Sequence, residues 1–205
     1  MEIKKVITNA LEESSYIISS GSEGIIVDPG GNARGILDAA EGINIKYILL
    51  THGHFDHIMA ANEVKKATGA KLLVPKGDSE MLADPGKSCG AMYGFVHDNI
   101  EFDKELCEGD KISFGAVTFT AMETPGHSLG SMCYIGHGIL ISGDVLFRGT
   151  IGRFDYENMG YMSSSLKKLW QLPKETVVYP GHGAATTIGY EIENNPYAGE
   201  KNWNL

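Results

Sequence analysis

The stretch from Lys46 to His57, KYILLTHGHFDH, decides how this chain is read. Its first half, Lys46 to Leu50, is a short apolar run of the kind that forms a buried strand. The run stops at Thr51, and His52, His54, Asp56 and His57 follow within six positions. Neither the helical nor the strand repeat puts all four on one face. A turning loop does, with His52 and His54 serving one metal ion while Asp56 and His57, at the start of a following helix, serve another. Imidazole with carboxylate suits zinc, iron or manganese, and open coordination positions make such a site catalytic rather than structural. The histidines exclude an all-oxygen calcium site.

Working outward, three later apolar runs end in the same way. Val117 to Met122 stops at a segment closing on Gly126-His127, Gly138 to Ile141 at Ser142-Gly143-Asp144, and Thr176 to Tyr179 at Pro180-Gly181-His182. Four strands thus deliver metal-capable side chains just past their C-terminal ends, where loops on a rigid sheet assemble sites, with a glycine before each late ligand to turn the backbone. Asp28, in IIVDPGG, is expected either to support the metal loop from behind or to end its strand in a turn with Pro29 and Gly30. His97, in a polar stretch, and His137, between two glycines, are expected at the surface. Cys133 reads as a small core residue.

Further strands are expected at Ile3 to Ile7, Tyr16 to Ser19, Gly24 to Val27, Lys71 to Val74, Lys111 to Phe114 and Ser131 to Ile135. Helices are expected at Ala33 to Glu41, His57 to Thr68, Met162 to Gln171 and Thr187 to Glu193. This pattern predicts an α/β fold of two packed sheets with helices outside, formed as one domain over residues 1–205. The chain has 205 residues and a formal charge of −9, with Lys and Arg scattered, so nucleic-acid binding through phosphate neutralisation is excluded. Cys89, Cys107 and Cys133 form neither a C-x-x-C pair nor a disulfide framework, which fits a reducing compartment. Glu12, Glu13, Ser14 and Ser15 interrupt the first apolar stretch, and no later run approaches about 18 residues, so a cytoplasmic protein without a membrane segment is expected. The oligomeric state is left open.

H-x-H-x-D-H followed by a distant P-G-H, a G-D and a final G-H resembles the metallo-β-lactamase superfamily, over about Ile25 to Tyr197. The resemblance implies a four-layer αββα sandwich of two mixed sheets flanked by helices. It also implies two divalent ions, zinc with iron or manganese as alternatives. The first would be held by His52, His54 and His127, the second by Asp56, His57 and His182, with Asp144 bridging them. Metallo-β-lactamases proper usually carry Cys in place of the bridging Asp, so Asp144 argues against antibiotic hydrolysis. The segments from Gly143 to Arg153 and from Pro180 to Tyr197 are similar to short bacterial members of the glyoxalase II group, the hydroxyacylglutathione hydrolases. By that likeness Arg153 and Tyr134 are substrate-binding residues, and Arg148 could bind a substrate carboxylate or form a structural ion pair. Two features depart from the group: the helical C-terminal glutathione domain is not expected here, and Gly183-Ala184 replaces the aromatic residue that follows the last G-H.

The implied reaction is thioester hydrolysis by a metal-bridging hydroxide. Two dications, two aspartates and a hydroxide leave one net positive charge to stabilise the oxyanion and accept a thiolate. Asp56 and Asp144 are the catalytic carboxylates, Asp56 both binding metal and orienting the nucleophile. A small-molecule thioester is the expected partner. The alternatives are a persulfide dioxygenase with a single iron, a hydrolase of lactones or other esters, and a non-catalytic module on a retained metal scaffold.

Overall fold

Alternation of apolar side chains along the strands builds three separate cores, and these define the layers. In the computed structural model, which describes residues 1–8 and 11–199, six strands form a first sheet: β1 (Glu2–Ile7), β2 (Ser14–Ser20), β3 (Glu23–Val27), β4 (Asn44–Leu49), β5 (Lys71–Pro75) and β6 (Lys104–Leu106). They lie in sequence order; β1 to β3 pair antiparallel, and β3 to β6 parallel. The expected domain limit at residue 205 lies outside the described residues.

The second sheet contains β7 (Lys111–Phe114), β8 (Val117–Glu123), β9 (Met132–Gly136), β10 (Ile139–Gly143), β13 (Val177–Pro180) and β14 (Thr186–Thr187). Its spatial order is β14-β13-β10-β9-β8-β7. Between β10 and β13 the chain forms a ribbon of β11 (Leu146–Phe147) and β12 (Thr150–Ile151). The helices are α1 (Ala33–Ala39), α2 (Phe55–Ile58), α3 (Ala61–Thr68), α4 (Met159–Leu169) and α5 (Ile188–Asn194).

One core lies between the first sheet and α1 and α3, and contains Ile17, Ile26, Ile48 and Leu72. Their sequence neighbours Ile18, Ile25, Leu49 and Leu73 point the other way, into a core shared with Phe114, Phe119, Tyr134 and Ile141 of the second sheet. Cys133, Leu140 and Val178 leave the second sheet's far side to pack on Met162, Leu166 and Ile188 of α4 and α5. The period of two along each strand thus produces the helix, sheet, sheet, helix order expected from the sequence.

The helix expected from His57 to Thr68 is broken. It divides into α2 and α3 because the Ala60 amide donates to the Pro29 carbonyl at 2.8 Å instead of continuing the helix. Four short strands went unforeseen: β6 and β14 are sheet edges, and β11 and β12 pair only with each other, so none carries an apolar alternation. Among the described residues no helix is long and apolar enough to cross a membrane.

Candidate metal centre

Strand direction brings the candidate ligands together. β3 and β4 run parallel, so Asp28 and the loop from Thr51 to His57 leave the first sheet at one edge. β8 and β10 both pair antiparallel to β9, and β13 pairs parallel to β10, so His127, Asp144 and His182 leave one edge of the second sheet. Two glycines let these loops close. Gly143 has φ +48°, and a Cβ there would lie 2.4 Å from Thr51 Oγ1. A Cβ at Gly181 would lie 2.2 Å from Asp144 Oδ1, so that glycine is required by close approach rather than by its backbone angles.

Three imidazole nitrogens meet at one point: His54 Nδ1 is 2.8 Å from His127 Nε2, which is 3.2 Å from His52 Nε2. Beside them, His182 Nε2 lies 3.3 Å from Asp56 Oδ2, and His57 Nε2 lies 3.7 Å from the same oxygen. Asp144 stands between the groups. Its Oδ2 is 3.6 Å from His127 Nε2 and 3.5 Å from His182 Nε2, while Oδ1 is 3.4 Å from His57 Nε2. All seven candidate ligands converge: six form the triads His52, His54, His127 and Asp56, His57, His182, and Asp144 groups with His52 and His57 between them. Among the described residues, His57 Nε2 and Asp144 Oδ1 are buried without a hydrogen-bond partner. Buried polar atoms are seldom left so, and a shared cation satisfies both. The donor set fits a pair of transition-metal ions.

The opposite nitrogens of four of these five rings are fixed. His57 Nδ1 donates to Asp28 Oδ2 at 2.9 Å, His127 Nδ1 to the Arg153 carbonyl at 2.7 Å and His182 Nδ1 to the Leu11 carbonyl at 3.1 Å. His52 Nδ1 donates to Thr51 Oγ1 at 3.0 Å, which donates onward to Asp28 Oδ2 at 2.6 Å. Asp28 therefore sets the tautomer of one histidine directly and of another through a hydroxyl, so each presents Nε2 to the centre. The Thr51 amide holds its other oxygen at 2.7 Å.

Burial and neighbouring charge divide the histidines. Burial, reinforced by the other imidazoles, holds His52 well below the usual range, and burial with His127 pushes His54 down to about 3. Burial also lowers His127. At His57 burial acts downward too, but Asp144 and Asp28 overcome it and the ring sits well above its ordinary value. His182 is raised by Asp56 and Asp144 against burial. Asp144 is lowered despite burial because His57 faces it. The first triad is thus neutral and ready to ligate, and the second is drawn to its carboxylates.

One expectation is corrected. Tyr134 is no substrate residue: its side chain is 0% exposed in the core between the sheets, and its hydroxyl donates to the Leu50 carbonyl at 2.5 Å. Its position in β9 points it inward, a direction that spacing from His127 did not reveal. Arg153 does border the cavity over the ligands, which measures about 140 Å³. Arg148 instead lies over the Tyr190 ring, 5.0 Å from its centroid. Cys133 is buried as expected and His137 is exposed in its turn, but His97 is half-buried with Nε2 2.8 Å from Ser88 Oγ.

Three features escaped the sequence reading. Asp78, buried just past β5, accepts from the Gly53 amide at 3.0 Å, the Gly130 amide at 2.8 Å and Ser128 Oγ at 2.6 Å, and so ties the His52–His54 loop to the His127 loop. It too follows a strand end, a signal that could have found it. Glu13 is fully buried behind His57. Tyr93, stacked on Phe55 at 5.1 Å, shares the cavity wall with Leu11 and Cys89.

A family profile described as "Metallo-beta-lactamase superfamily" matches residues 8–182. The Haemophilus influenzae protein named hydroxyacylglutathione hydrolase GloC is 31% identical over 98% of this chain and 100% of its own. A crystal structure titled BLEG-1 B3 metallo-beta-lactamase superposes with a TM-score of 0.89 at 32% identity, covering 96% of this chain and 99% of that one. The structure of TTHA1623 in a di-iron-bound form gives a TM-score of 0.84 at 31% identity over 95% and 99%.

Proposed function

Because this chain belongs to the metallo-beta-lactamase superfamily and is a metal-dependent hydrolase, we propose that it cleaves an S-acyl thioester in the manner of a glyoxalase II. The observation that carries this reading is the end-to-end match to GloC, 98% of this chain against 100% of that protein. In this reading His52, His54 and His127 would hold one ion and Asp56, His57 and His182 the other, with Asp144 placed between the two sets. Two such ions, when bound, supply an activated water and polarise a carbonyl. Zinc is the proposed metal; the di-iron form of TTHA1623 makes iron the alternative to test.

The chain's own groups divide the remaining work. Asp56 reaches into the cavity beside Asp144 and serves as the acceptor that orients the attacking water. Arg153, which lines the cavity, attracts an anionic group on the substrate through its guanidinium. Phe55, Tyr93 and Leu11 form an apolar wall that keeps bulk water from the carbonyl. A cavity of about 140 Å³ is below the ~300 Å³ at which sites for drug-sized molecules begin, so it accepts the acyl carbonyl while most of the thiol portion stays outside. Dependence on the identity of the thiol is accordingly weak in this proposal.

The likeness to BLEG-1 favours one second reading, β-lactam hydrolysis on the same centre. A turnover panel of thioesters, a lactone, a β-lactam and a persulfide, on protein of measured metal content, tests both. Thioesters should be the best substrates, with lactoylglutathione only modestly preferred over esters of smaller thiols. Absence of thioester turnover in fully metallated protein overturns the proposal, and preferred β-lactam turnover selects the second reading.

A further inference from the structure

We propose that Glu13 is a positioning residue for the ion held by Asp56, His57 and His182, its buried carboxylate supplying negative charge behind His57 and its backbone anchoring the loop of His182. The inference rests on the two-ion reading above. Glu13 immediately precedes β2, its side chain is 0% exposed, and neither carboxylate oxygen has a hydrogen-bond partner among the described residues. Oε1 stands 3.9 Å from His57 Nδ1, whose proton goes to Asp28. Its backbone forms a β-bridge with His182, and the neighbouring Ser14 amide donates to the Gly181 carbonyl at 2.8 Å. One residue therefore touches the two histidines of one triad, and none of His52, His54 or His127.

Burial pushes the Glu13 carboxyl well above its usual range and His57 opposes this, so its charged form is sustained only where positive charge lies close by. The ammonium of Lys5 is engaged with the Gly183 carbonyl. Facing Glu13 are the Asp28 carboxylate, Thr8 and the His57 ring, and of these the ring alone can carry positive charge, its Nε2 being placed to ligate a cation. Charge behind an imidazole makes its far nitrogen a stronger donor, the role of outer carboxylates at metal-bound histidines. The packing leaves this carboxylate little freedom: a Cβ added at Gly30 would come within 2.6 Å of Glu13 Oε2. Asp28 serves both triads, through His57 and through Thr51 to His52. Glu13 serves only one, so its removal has a selective signature.

The test is a stepwise zinc titration of the full-length protein against a competing chelator, comparing wild type with Glu13→Gln and Glu13→Asp. Glu13→Gln keeps the shape and removes the charge. One of the two equivalents should bind as in wild type, and the other about tenfold or more weakly. The thermal midpoint of the metal-free variant should be no lower than wild type, because an unpartnered carboxylate has been removed from the interior. Glu13→Asp, which keeps the charge, should recover part of the weakened step. Wild-type binding of both equivalents by Glu13→Gln overturns the proposal, as does equal weakening of both steps together with lost stability, which marks a merely structural residue. Failure of both variants to fold overturns it in the same way. If wild type itself takes up one ion, the two-ion reading fails first.

Discussion

The carboxylate of Asp28 accepts the Nδ1 proton of His57 at 2.9 Å, and the same oxygen accepts from Thr51 Oγ1, which in turn receives the Nδ1 proton of His52. One buried side chain thereby points two imidazoles, one from each ligand triad, toward the space around Asp144. Asp28→Ala frees both rings at once. Metal affinity should fall about 10- to 100-fold. Chelator competition checks this, and unchanged affinity for both equivalents would refute the role.

Metal occupancy should saturate at two ions per chain, since seven side chains converge and one tetrahedral ion uses four ligands. Each ion that binds the folded chain alone adds about 2.7 kcal/mol of stability at a free concentration 100 times its dissociation constant. Elemental analysis after reconstitution gives the count, and saturation at one ion would contradict it. Chelation should lower the thermal midpoint.

Asp144 touches both triads, whereas Arg153 borders the cavity and holds His127 through its backbone carbonyl. Asp144→Ala should therefore abolish turnover, while Arg153→Ala, whose carbonyl stays in place, should mainly raise KM. Equal losses of kcat in the two variants would contradict this division.

Tyr134→Phe removes the donor to the buried Leu50 carbonyl and no group from the cavity. Chemical denaturation should show a loss of about 1–3 kcal/mol, with KM unchanged. A raised KM at unchanged stability would restore Tyr134 to the substrate.

His54 supplies a pH signature in the metal-free protein. Its folded pKa is pushed down to about 3 from 6.5, so between these values the unfolded chain binds a proton at this ring that the folded chain refuses. Wild type thus loses stability through His54 as pH falls across that window, and loses none through it above. Relative to wild type, metal-free His54→Gln should gain stability from pH 7 to pH 4, as read by urea denaturation. A difference that stays constant with pH would show that the ring is not held neutral.

Much of the centre was legible in the chain itself. His52, His54, Asp56 and His57 are neighbours in sequence, and His127, Asp144 and His182 each follow a glycine at the end of an apolar run, so strand ends alone collect them. The alternation of Ile17 with Ile18, and of Cys133 with Tyr134, likewise encodes which sheet faces are buried. Which buried side chain lies behind which ligand was not encoded locally. Asp78 meets Gly53 and Gly130 across 25 and 52 positions, Glu13 meets His57 and His182 only once the two sheet edges adjoin, and Tyr134 turns from the cavity because the pleat of β9 sends it inward. Spacing along a chain determines what a residue's neighbours are in its own strand or turn; the partners that satisfy a buried carboxylate or hydroxyl come from other strands, and only the packing of the two sheets brings them within hydrogen-bonding or ion-pairing distance.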